Sequence, residues 1–524
     1  MKRAWKKRLI ALSLAIASAT TPILLTLNST TATTPQTSTV TTEVVKDHTI
    51  TQAPPSTKPT QTEKTDTQPS NLVTAIQRRQ KLLEADRLYL AGQIPEAEKI
   101  YREVKAPFVT HTETPKRPEP ILDPAQLPPA GRVYWRETQA GAEAKLQTRM
   151  MVPLRLLVEE YPQFIPGHLR LAEVLQSSDD TKEAIAVLEQ ATSLYPNQPD
   201  LAKAKISLLA ADKKWMEASL AARQFALLNS KTPNPEFTAL ADEHLKRYKK
   251  QVRRKLRGNT IANIITGVLG YAVTGSLFGP ISAAQTTVMV LRGESSIGKS
   301  VAKDARKQLP IVEDKLVVDY VNELGHKIAK ASGRNDFQYE FYVVLDDQLN
   351  AFALPGGKVF INAGAIARTD SEAELAGLIA HELSHAVLSH GFQLIAQGNL
   401  IANVTQYVPY GGTVASLFTL DYSRDMERQA DTLGTRLIAS NGYAADGLYN
   451  LMVTLKQQQK SSPPTWLASH PATGDRINYI EDLIERNGYN RYSYEGVARH
   501  AQIKAQVEKL LIQKEQQRKK KHQR

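Results

Sequence analysis

Cysteine is absent from all 524 positions. The chain therefore forms no disulfide, carries no lipid-anchoring cysteine and offers no thiolate to a metal. Charge is missing over a long interval as well. From Asn259 to Leu291 no residue is charged, the composition is rich in Gly, Ala, Ile and Val, and a basic cluster ending at Arg257 stands immediately before it. The length suits one membrane span or a hairpin dipping into a bilayer, whereas Gly267, Gly270, Gly275, Gly279 and Pro280 weaken any continuous helix. Two readings stay open: contact with a membrane surface, or a glycine-rich segment packed between the regions on either side. A domain-wide basic character is also lacking. The net charge of +13 is concentrated in three patches, at the N-terminus, at Lys246 to Arg257 and at Lys514 to Arg524, and outside them the chain is slightly acidic. No nucleic-acid partner is expected from that distribution.

At the N-terminus, Lys2, Arg3, Lys6, Lys7 and Arg8 precede the apolar run Leu9 to Ala17, with Ala17-Ser18-Ala19 as a cleavage site. Residues 1–27 thus read as a bacterial export signal, or as an uncleaved anchor interrupted by Pro22. The expected location is the periplasm, or the extracytoplasmic side of a membrane. Residues 28–71, dominated by Thr, Ser, Pro and Gln, read as a disordered linker. Within 72–105, Ala85, Leu88, Tyr89, Gly92, Glu96-Ala97 and Tyr101 are spaced like a tetratricopeptide helix pair, and a proline-rich insert follows over 106–147. In 148–258, Tyr161-Pro162 recurs as Tyr195-Pro196 and Glu183-Ala184 as Glu217-Ala218, both 34 residues on. That is the tetratricopeptide period, and it predicts antiparallel helix pairs stacked as a short solenoid that binds a protein partner or shields its neighbour.

The densest chemistry lies at His381-Glu382-Leu383-Ser384-His385, which fits H-E-x-x-H. Leu375, Leu378, Ile379, Leu383 and Val387 fall at helical spacing, and Ser371 with Glu374 forms a capping box at the helix start. His381 and His385 then stand one turn apart on one face, as two zinc ligands must, with Glu382 beside them to take a proton from the attacking water. A zinc hydrolase needs a third protein ligand. A second helix is predicted from about Ser423 to Ser440, where Asn441-Gly442 stops it, and it carries Glu427 and Asp431 four residues apart. One of these could ligate while the other orients a ligand histidine; alternatively both belong to a solvated acidic face near Arg424 and Arg428. Residues 340–345 and 358–362 read as strands, the second entered through the Pro355-Gly356-Gly357 turn, and make either a hairpin under the active-site helix or an edge that binds an extended peptide.

Four motifs occur in one order: Asn350 to Gly364, then His381-Glu382-x-x-His385, then Ser423-Arg424 with Glu427 and Asp431, then Ser469-His470-Pro471 with Arg476. From about Gly293 to Asn487 the chain resembles the zinc metallopeptidases that include the HtpX-like heat-shock proteases, the CAAX prenyl endopeptidase and the beta-barrel assembly-enhancing protease. The resemblance implies one zinc ion per chain held by His381, His385 and Glu427, with Glu382 as general base and Asp431 orienting a ligand histidine. It places His470 near the metal, to stabilise the oxyanion or to fill the fourth ligand position for a time, with Arg476 beside it. It implies hydrolysis of peptide bonds in unfolded or misassembled envelope proteins. The repeats here precede the catalytic region, whereas in the assembly-enhancing protease they follow it, so partners do not transfer.

A rival motif, Gly293-Glu294-Ser295-Ser296-Ile297-Gly298-Lys299-Ser300, fits the P-loop pattern to the letter. Only about eighty residues separate it from His381, and the strand–helix crossovers of a nucleotide-binding sheet are missing. ATP is not expected as a cofactor. The fold class expected is thus multidomain: an alpha-helical tetratricopeptide-like repeat region followed by a helix-rich alpha+beta zincin-type metalloprotease domain over 293–490, with a basic C-terminal tail over 491–524. The alternative is a latent or inactive metalloprotease that serves as a repeat-based binding scaffold.

Overall fold

The computed structural model describes residues 69–105, 107–108, 118–230, 234–258, 293–396, 422–458, 466–470 and 474–522. The chain divides into two units, Met1–Asp66 and Thr67–Arg524, and all described residues belong to the second. The export signal, nearly all of the linker and the uncharged stretch after Gly258 lie outside the described residues.

Among the described residues, nine α-helices come first: α1 (Pro69–Leu90), α2 (Ile94–Val104), α3 (Pro129–Glu143), α4 (Gln147–Glu160), α5 (Ile165–Ser177), α6 (Thr181–Leu194), α7 (Pro199–Ala211), α8 (Trp215–Leu228) and α9 (Pro235–Gly258). Helices α4, α6 and α8 begin 34 residues apart, which is the recurrence seen in the sequence. Successive helices pack on one another from α3 to α9 around a core of Leu154, Leu157, Phe164, Leu188, Leu201, Phe225 and Phe237. Residues 129–143, assigned to the proline-rich insert, are helical and pack on α4. Pro128 and Pro129 stand at the N-cap and first turn, where a missing N–H costs nothing, so these prolines start a helix instead of preventing one.

The C-terminal region comprises α10 (Glu294–Gln308), α11 (Lys315–Lys330), β1 (Glu340–Val344), β2 (Ala351–Leu354), β3 (Lys358–Asn362), α12 (Ala363–Arg368), α13 (Glu372–Val387), α14 (His390–Ala396), α15 (Arg424–Ser440), α16 (Gly447–Gln458), α17 (Trp466–Ser469), α18 (Gly474–Asn487) and α19 (Val497–His522). The sheet order is β1-β3-β2. The turn at Pro355 to Gly357, with Gly356 and Gly357 at φ 75° and 81°, joins β2 to β3 as the hairpin, and β1 pairs with β3 in parallel. The hairpin partner of 358–362 is therefore 351–354 and not 340–345. Helix α13 packs on this sheet, on α11, and on α15 and α16.

The P-loop-like residues open α10. Gly298 faces the Pro355 carbonyl so closely that a Cβ would lie 1.7 Å from its oxygen. Close helix–turn packing accounts for that glycine, while Lys299 points outward. The C-terminal residues assigned to a tail form α19, whose Ile503 and Val507 enter the core; only its end is an exposed basic run.

The α1–α2 hairpin packs on the start of α19 through Leu82, Ala85, Ala97, Tyr101 and Val497. Asp86 accepts from the backbone N–H groups of Glu495 and Val497 at 3.0 and 2.8 Å. Lys105, at the end of α2, is buried between Asp446 (2.8 Å) and Glu495. Helix α8 is tied in separately: Gln224 donates to the Leu388 carbonyl, and Arg436 donates to the carbonyls of Leu227 and Leu228.

Candidate active site

Helix α13 starts as its sequence predicts: Ser371 Oγ accepts from Glu374 N–H at 3.1 Å, while the Glu374 carboxylate reaches back to the N–H of Asp370 at 2.8 Å. Leu375, Leu378, Ile379, Leu383 and Val387 are wholly buried, which fixes the rotation of the helix and aims His381 and His385 at α15. Helix α15 is capped by Ser423 Oγ, which accepts from the Met426 N–H. The start set by that cap brings Glu427 and Asp431 onto the face that meets α13, so the solvated-face alternative is corrected: both are buried.

His381 Nε2 lies 3.1 Å from His385 Nε2 and 3.5 Å from Glu427 Oε2, and His385 Nε2 lies 3.4 Å from Glu427 Oε1. Zinc with bonds of about 2.0–2.2 Å places tetrahedral donor pairs about 3.3–3.5 Å apart, so these residues fit that ion. His470 completes the set, its Nδ1 being 3.4 Å from His381 Nε2 and 2.8 Å from Glu427 Oε1. All four side chains are buried and their donor atoms lie within 4.8 Å of one another. Formal charge gives a second test. Glu427 and Asp431 pair with the guanidinium of Arg476, and Glu382 lies 3.5 Å from His470 Nε2, so three carboxylates and one guanidinium leave two formal negative charges, the complement of one divalent cation.

The surroundings orient each donor. Asp431 Oδ1 faces His381 Nδ1 at 3.0 Å, and Arg476 forks onto both Asp431 oxygens at 2.9 and 2.7 Å while reaching Glu427 Oε2 at 2.8 Å. Burial alone would lower the His381 pKa, yet the carboxylates of Asp431 and Glu427 push it up to about 9 in the metal-free protein. Burial holds His385 well below the usual imidazole range. For Glu427 burial acts upward, but His470 and Arg476 keep its carboxyl well below the ordinary value; Arg476 and His381 lower that of Asp431 against its burial. His385 is thus a neutral, ligand-ready imidazole and the two carboxylates are ionised.

Glu382 is wholly buried. Its Oε1 accepts from the Trp466 indole N–H at 2.7 Å, and its Oε2 has no hydrogen-bond partner among the described residues. The His470 ring stacks on Trp466 (centroids 4.5 Å apart) and faces Tyr422 (5.3 Å), and Tyr422 also lies 3.9 Å from the ring of His385. The structure thus brings together all seven site residues expected from the sequence: His381, Glu382, His385, Glu427, Asp431, His470 and Arg476. Arg476 holds the two carboxylates of Glu427 and Asp431.

Sequence reasoning missed Trp466, Tyr422, His390 and Gln429. Trp466 meets Glu382 across 84 positions, and no spacing rule connects them. His390 carried a faint signal, a third histidine five residues beyond His385.

Residues 316–484 match the description Peptidase family M48. Among curated relatives, the beta-barrel assembly-enhancing protease of Yersinia pestis is 24% identical over 223 residues, covering 38% of this chain and 46% of that protein. The protein of the same name from Escherichia coli K12 is 22% identical over 251 residues, 43% of this chain and 52% of its own. The mitochondrial metalloendopeptidase OMA1 of Schizosaccharomyces pombe is 29% identical over 177 residues, 32% of this chain and 52% of its own. The chain spans about half the length of the curated relatives it matches.

Proposed function

We propose that this chain, a member of peptidase family M48 through residues 316–484, is a zinc-dependent metalloendopeptidase that hydrolyses peptide bonds of unfolded or misassembled envelope proteins in protein quality control. The observation that carries the reading is the buried set His381, His385 and Glu427 at tetrahedral donor spacing, with Glu382 alongside. Zinc, when bound, supplies Lewis acidity toward the scissile carbonyl and the attacking water. Glu382 takes the proton of that water on Oε2 and delivers it to the leaving amine, and Trp466 holds Oε1 so that the other oxygen faces the reaction. Asp431 and Arg476 keep His381 and Glu427 in place. An extended substrate would add along β2, the edge strand against α13, through main-chain hydrogen bonds.

The relatives named for beta-barrel assembly support an envelope role, and the N-terminal charge pattern supports export to the periplasm or to a membrane-associated site. No helix among the described residues is long and apolar enough to cross a membrane. The 34-residue register of α4, α6 and α8 supports tetratricopeptide-like repeats as a surface for a protein partner, and the uncharged stretch after α9 supports contact with a membrane surface. The function is tested with casein and the purified chain: a chelator should abolish cleavage and stoichiometric zinc should restore it. Cleavage that survives full metal removal would sink the reading.

One observation favours a site that is closed at rest. His470 Nδ1 lies 3.4 Å from His381 Nε2 and 2.8 Å from Glu427 Oε1, with its ring between Trp466 and Tyr422, so it would hold the ion with the other three residues and would have to leave to admit water and substrate. His470→Ala should raise casein turnover by about tenfold, the rate gained on removing about 1.4 kcal/mol of barrier. A fall in kcat at unchanged zinc content would instead make His470 part of the chemistry.

A further inference from the structure

His381 has an orienting partner in Asp431; His385 has one too, and it is another histidine. His385 Nδ1 lies 3.0 Å from His390 Nδ1, and His390 Nε2 lies 3.0 Å from Gln429 Oε1. Both rings are buried, and Gln429 sits on α15 between Glu427 and Asp431. A neutral imidazole has one donor and one acceptor nitrogen, so this line of contacts admits only two arrangements. In the first, the Gln429 carbonyl accepts from His390 Nε2–H, His390 Nδ1 accepts from His385 Nδ1–H, and His385 Nε2 presents its lone pair to the metal. In the second, every donor is reversed, and His385 Nε2 carries a proton that blocks ligation.

The backbone takes unusual measures to put His390 there. Ser389, between α13 and α14, has φ of 61°, a left-handed conformation that a non-glycine residue rarely adopts. It is held by its surroundings: Arg334 donates to Ser389 Oγ at 3.0 Å and to the Val387 carbonyl at 2.7 Å, and Ser389 Oγ donates to Glu294 Oε2 at 2.8 Å. The turn folds α14 back so that its first side chain lies beneath His385.

We infer that His390, fixed by Gln429, is a positioning residue that holds the His385 ring in the tautomer able to bind zinc. The inference rests on the zinc reading above. Its test is zinc affinity of the full chain by competition with a chromophoric chelator, with far-UV circular dichroism on each metal-free variant. His390→Leu and Gln429→Leu should weaken zinc binding about 10- to 100-fold. His390→Asn, whose Oδ1 takes the position of Nδ1 and can accept from His385, should stay within about threefold of the parent, and Gln429→Glu, which keeps the acceptor, likewise. Parent-like affinity in His390→Leu overturns the inference, as does equal weakening by Leu and Asn, which marks packing alone. A parent that binds no zinc overturns the metal reading itself and this inference with it.

Discussion

Glu382→Gln should reduce casein turnover by about 10²–10⁴-fold, the range removed with a general base, while zinc content stays at one per chain. The substitution is close to isosteric, and Trp466 N–H, 2.7 Å from Oε1, needs an acceptor, so the new amide will turn its oxygen toward the indole. Its NH₂ then occupies the place of Oε2, the carboxylate oxygen without a partner, and cannot take a proton. Zinc should remain because none of its donors changes. His385→Ala is the contrasting variant, expected to lose metal and activity together. If Glu382→Gln keeps more than a tenth of the parent rate with zinc bound, the base is some other group.

The second large effect is on stability. Lys105→Met removes the cation between Asp446 and Glu495, all three being almost completely buried. Arg491, at 3.2 Å from Asp446, then faces the two carboxylates without the ammonium. Breaking a buried ion pair from one side costs about 3–5 kcal/mol, because the remaining charge keeps its desolvation penalty. The first denaturant unfolding transition should move down accordingly, and amide exchange at Glu495 and Val497, which bond to Asp86 of the same hairpin, should rise. Lys105→Arg should cost less. An unchanged transition in Lys105→Met would show that α1 and α2 are dispensable to the C-terminal region.

What could be read from the sequence is what is local. The α13 cap, its apolar face and the pairing of His381 with His385 each depend on residues within about a turn or two, and the structure has them as expected. Glu427 and Asp431 were legible as a pair, but spacing alone could not separate a ligand from a surface charge; the packing of α15 on α13 decides that. The β2–β3 hairpin is not legible in the sequence, because period-2 patterns do not say which strand pairs with which across the Pro355 to Gly357 turn. Trp466 and Gln429 act on the site through contacts that no periodicity encodes. The hairpin at 72–105 has repeat-like spacing, yet its polar and apolar anchors lie about four hundred residues away, at Glu495 and Val497.

All sixteen residues of α13 are buried, the acidic ones included. This helix has no outward face on which substitution is neutral. In a saturation scan, therefore, nearly every position from Glu372 to Val387 will lower the yield of folded protein, and loss of activity there will not by itself identify a catalytic group. Natural or laboratory evolution of a new cleavage preference must leave these sixteen positions alone and work on the strand edge and the loops around them, so the metal helix should be the slowest part of the molecule to change.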